Sequence, residues 1–145
     1  MKIRNLVYFH DVRGDSPMTF THLQVRTGYS FYHSTIHIDR LIERAKELNF
    51  KSLAITDENV LYGVIPFYKA CKEAGIKPII GMTTKIHLNP YGEQPVVLLA
   101  KDNIGYKQLN YLSTFTQLHK ELITLDILIK NSDHLIGILP VITSE

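Results

Sequence analysis

The chain has 145 residues, 45% hydrophobic and 21% charged, the mix of one soluble globular domain long enough for a real core. Its 16 basic and 14 acidic residues leave a net charge of +2, too balanced to argue for nucleic acid on electrostatics alone. No apolar run approaches the ~20 residues of a membrane span, and a lone cysteine, Cys71, excludes an internal disulfide and fits a reducing cytoplasm.

Residues 1–17 differ from the rest of the chain. The apolar run Leu6-Val7-Tyr8-Phe9 is too short for a signal-peptide core. Gly14-Asp15-Ser16-Pro17 is turn chemistry, and Met18 comes directly after it. We expect 1–17 to be a leader or extension, with the domain proper over 18–145.

Phe20 to Thr27 alternates, which predicts a β-strand. One face carries Leu23 and Val25, and the other carries Phe20, His22, Gln24 and Arg26. That polar row belongs either to a wet edge strand or to a site, because polar groups on a covered face are costly unless they pair or bind something.

A Ser-, Tyr- and His-rich loop runs from Gly28 to Thr35. Ser34 or Thr35 is the expected cap of a helix with Ile38, Leu41, Ile42, Ala45 and Leu48 on one stripe, ended by Asn49. Ser52 to Thr56 reads as a buried strand, with Asp57, Glu58 and Asn59 at its end. A second helix starts near Gly63, turns Val64, Phe67, Tyr68 and Cys71 inward, and closes at Gly75. Ile76 to Met82 and Thr84 to Leu88 are strand material separated by Thr83. Asn89 to Gly92 is a turn, and Pro95 to Ala100 is a strand that forms a hairpin-like departure. Asp102 or Asn103 caps a third helix carrying Leu109, Leu112, Phe115 and Leu118 inward, Thr124 opens a short fourth, and His134 to Leu139 is a last strand.

Strands alternating with helices favour an α/β fold of mostly parallel strands with helical crossovers. In such folds functional groups gather at the C-terminal ends of strands. Arg26, His33, Asp57, Glu58 and Thr83 all fall at or near such ends, which tips the polar row towards a site.

Three segments carry a family resemblance: "FTHLQVRTGYSFYHS", "IDRLIERAKEL" and "LAITDENVLYGVIPFYKACKEAGIKPIIGM". Together they resemble the start of a polymerase-and-histidinol-phosphatase (PHP) domain, in the branch at the N-terminus of bacterial DNA polymerase III alpha subunits. The likeness is strong over 19–86 and thinner from Tyr106 to Leu139. It implies the N-terminal part of a β/α barrel, incomplete in this chain, belonging to a replicative polymerase. That polymerase would use magnesium, with its catalytic carboxylates far downstream and with replication proteins and DNA as partners.

The resemblance also implies a metal site at the strand ends. The family's two first-strand histidines fall on Gln24 and Arg26, a later histidine on Glu58, and a glutamate on Thr83. His33 matches a ligand position in the first loop and Asp57 the aspartate that ends strand two, whereas His22 lies beside the ligands. An amide is a weak donor and a guanidinium is none. The expectation is therefore a vestigial pocket of His22, Gln24, Arg26, His33, Asp57, Glu58 and Thr83, with no catalytic residue, no metal and no cofactor in this fragment. Arg26 is expected to replace the cation and pair with Asp57 or Glu58, with Gln24 and His22 completing the hydrogen bonds. The rival reading is a metal-dependent phosphoesterase or 3'-5' proofreading exonuclease. Strand edges left open by the incomplete barrel are expected to favour self-association. The histidines at 10, 37, 87, 119 and 134 read as solvated surface.

Overall fold

The computed structural model describes residues 20–31 and 33–139. The expected leader over 1–17 and the start at Met18 lie outside the described residues. In chain order the elements are α1 (Ile38–Glu47), β1 (Ser52–Ile55), α2 (Val64–Glu73), β2 (Lys77–Leu88), β3 (Gly92–Ala100), α3 (Asn103–His119), β4 (Ile123–Thr124), α4 (Leu125–Lys130) and β5 (Leu135–Ile138).

The sheet runs in the order β1-β2-β3-β5, with the two-residue β4 beside the far half of β2. β1 pairs with β2 in parallel, Ser52 opposite Lys77 and Ile55 opposite Ile80. β2 and β3 form the antiparallel hairpin, and β5 is antiparallel to β3. Four of the five described strands therefore point the same way and β3 alone is reversed, but β3 is antiparallel to both its neighbours, so the α/β sheet is mixed rather than mostly parallel.

Two apolar layers hold the sheet. Ile42 and Ala45 of α1 meet Phe67 and Cys71 of α2 over Leu53 and Ile55 of β1. Leu109 and Leu112 of α3, with Leu128 of α4, cover Met82, Ile86, Val96 and Leu98. Leu61 and Ile80 touch both clusters. Each fully buried large side chain, such as Phe67, contributes about 1.5–3 kcal/mol. Val96 to Leu99 are all buried, so β3 is covered on both faces, and its unbroken apolar run is the sequence trace of that.

Several expectations need correction. Phe20 to Thr27 forms no regular strand. Ala54 and Thr56, two residues apart, donate to the carbonyls of His22 and Val25, three residues apart. The segment thus holds one residue too many for an even ladder, and the Val25 N–H goes to the Thr56 hydroxyl instead of a backbone partner. α1 starts after His37 without a side-chain cap, because the Ser34 hydroxyl is committed to the Arg26 carbonyl and the Ile36 N–H. Thr83 does not separate two strands, since β2 runs through it. Leu48, Tyr68 and Leu118 face solvent rather than the core.

The ends of α2 and α3 obey local chemistry. Gly75 stands at φ +70°, a conformation costly for any side chain, directly after α2. Asp102 caps α3 by accepting from the N–H groups of Ile104 and Gly105. Its other oxygen lies 2.6 Å from His134 Nδ1, so His134 is not the free surface histidine expected. The Gly105 N–H, followed by His134, holds the Asp102 carboxyl below its ordinary value of 3.8.

These contacts give two expected outcomes. A methyl group on Gly105 would run into the His134 carbonyl oxygen, so Gly105→Ala should cost about 1–3 kcal/mol in a urea melt by forcing α3 off β5. Asp102 has a lowered folded-state pKa, so its stabilisation is present above 3.8 and is lost as pH falls through the folded value. Asp102→Ala should lower Tm at neutral pH and flatten the acid limb of a Tm-against-pH curve.

Candidate functional site

β1 ends at Ile55, and the next three residues build the centre of the site. Asp57 is 1% exposed and must have its charge answered. One carboxylate oxygen accepts from the Thr27 N–H and the Ser30 hydroxyl, both at 2.6 Å. The other accepts from the Thr27 hydroxyl at 2.8 Å. The Ser30 oxygen in turn accepts from the Glu58 N–H at 3.0 Å. Hydroxyls and one amide, not a cation, satisfy this carboxylate.

Glu58 points the other way. Its Oε2 lies 3.7 Å from Arg26 Nη1 and 3.6 Å from His33 Nε2. Both separations exceed a hydrogen bond but lie within ion-pair range, and the two side chains of the Arg26 pair are 33% and 22% exposed. Arg26 thus partners Glu58 electrostatically and does not make the hydrogen-bonded fork expected of it. It makes no contact of that kind with Asp57. Its Nε is buried without a hydrogen-bond partner.

The rest of the expected pocket divides. His22 stands between the rings of Phe20 and Phe50, with centroids 4.4 and 5.4 Å away, and Gln24 is exposed, so neither completes a network around Arg26. His22, Gln24, Arg26 and His33 line an open cleft of about 610 Å³ whose floor includes Leu41 and Leu53. Asp57, Glu58 and Thr83 do not line it. Thr83 is buried in mid-strand and donates its hydroxyl to the Thr56 carbonyl at 2.9 Å. Its backbone donates to the Asp57 carbonyl and accepts from the Asn59 N–H, which fastens the end of β1 against β2.

Sequence reasoning missed Thr27, Ser30 and Asn59. Thr27 and Ser30 are ordinary loop hydroxyls until the fold sets them against a carboxylate some thirty positions away. Asn59 adopts φ +59°, which asparagine tolerates better than most residues. Its side chain accepts from the Thr84 hydroxyl, and its carbonyl accepts from Ser113 and Gln117 of α3. An Asn directly after the strand-end acids is the one local signal that could have marked this corner.

These donors do not fit a divalent cation. Both Asp57 oxygens are engaged, the Thr83 hydroxyl is spent, and a guanidinium stands beside Glu58. Among the described residues no three His, Cys, Asp or Glu side chains are grouped as metal ligands.

The two carboxylates should respond differently to mutation. Asp57→Ala strands three donors in the interior and should cost about 3 kcal/mol or more, with faster amide exchange in the 27–34 loop. Glu58→Gln removes only a partly exposed ion pair and should change stability by less than about 1 kcal/mol in the same melt.

Comparison with known proteins gives this arrangement its relatives. DNA polymerase III subunit alpha of Bacillus subtilis strain 168 is 47% identical over 105 residues, 69% of this chain and 9% of that protein. The protein of the same name from Halalkalibacterium halodurans is 40% identical over 126 residues, 85% of this chain and 11% of that one. The chain therefore spans only 9–11% of the length of these relatives. A solved amidohydrolase from Chromobacterium violaceum superimposes with a TM-score of 0.52 at 18% identity, covering 69% of this chain and 35% of its own, which speaks to the fold alone. The PHP domain model matches residues 22–145, and the chain belongs to the PHP domain family.

Proposed function

We propose that this chain is the opening part of the PHP domain of a bacterial replicative DNA polymerase, the alpha subunit of DNA polymerase III, and that it works there without catalysis of its own. The reading rests on the Asp57–Glu58 arrangement, in which internal hydroxyls and an arginine answer the charges a metal would answer. The polymerase relatives supply its context. The domain's role is to pack against the rest of the polymerase chain and support its replication partners and DNA. Magnesium and nucleotidyl transfer belong to the whole polymerase, and a cytoplasmic location goes with that role. Among the described residues no helix is long and apolar enough to cross a membrane.

The test is a pair of assays on the purified 145-residue chain. Primer extension with deoxynucleotides and magnesium should show no product. Phosphoesterase and 3'-5' exonuclease assays under added manganese should show no turnover, and elemental analysis should find well under one metal ion per chain. Stoichiometric metal together with turnover would replace this reading with the metal-dependent phosphoesterase or exonuclease.

A further inference from the structure

We draw no further inference here: the strongest candidate, the open cleft between the 20–27 segment and α1 with Arg26 and Arg44 on its walls, carries nothing, because both arginines are already paired within the chain, with Glu58 and Glu47, and nothing in the structure shows what covers its apolar floor.

Discussion

The Asp57 carboxylate is the constraint on which the rest of the site depends. A carboxylate at 1% exposure is strongly unfavourable unless hydrogen-bond donors answer its charge. The chain meets that demand by folding Thr27 and Ser30 over the end of β1. One residue thereby joins four parts of the molecule, namely the 20–27 segment, the loop after it, the end of β1 and, through its carbonyl, mid-β2. The loop's path is a consequence. With Ser30 held, the N–H groups of His33 and Ser34 turn back to its carbonyl, and the Ser34 hydroxyl closes on Arg26.

Neutral donors at Asp57 leave the charged groups free for a looser arrangement outside it. Arg26 and His33 flank a single Glu58 oxygen at ion-pair rather than hydrogen-bond distance, in a partly wet setting where such pairs contribute little. Rigidity at the strand end therefore comes from hydroxyls and backbone, and the ion cluster only balances charge. The result is a strand end whose geometry is tightly held, with Arg26 Nε left as a buried atom without a hydrogen-bond partner.

Much of the fold was legible locally. Turn chemistry at Asn89 to Gly92 announced the hairpin, and Asp102 and Thr124 announced the starts of α3 and α4 through their caps. Gly75 marked the end of α2. Periodicity also found the inward faces correctly at Phe67, Cys71, Leu109 and Leu112. It erred at Leu48, Tyr68 and Leu118, because spacing tells which side of a helix is apolar and not whether anything lies over it. The alternation of Phe20 to Thr27 likewise described a face without a ladder, since the extra residue shows only against β1.

By itself the sequence determined the four described helices, the hairpin with its reversed strand and the family, since periods, caps and turn residues act within a few positions. That Gln24, Arg26, Glu58 and Thr83 stand where metal donors would is an expectation of the resemblance; the residue types themselves fix only that an amide is a weak donor and a guanidinium none. Only the tertiary structure decided which partner each charge received. Arg26 and Asp57 were equally eligible for each other in the sequence. Thr27 and Ser30 hold Asp57, because the end of the 20–27 segment and the loop after it bring their short side chains inside hydrogen-bond range, while the Arg26 guanidinium lies beside Glu58.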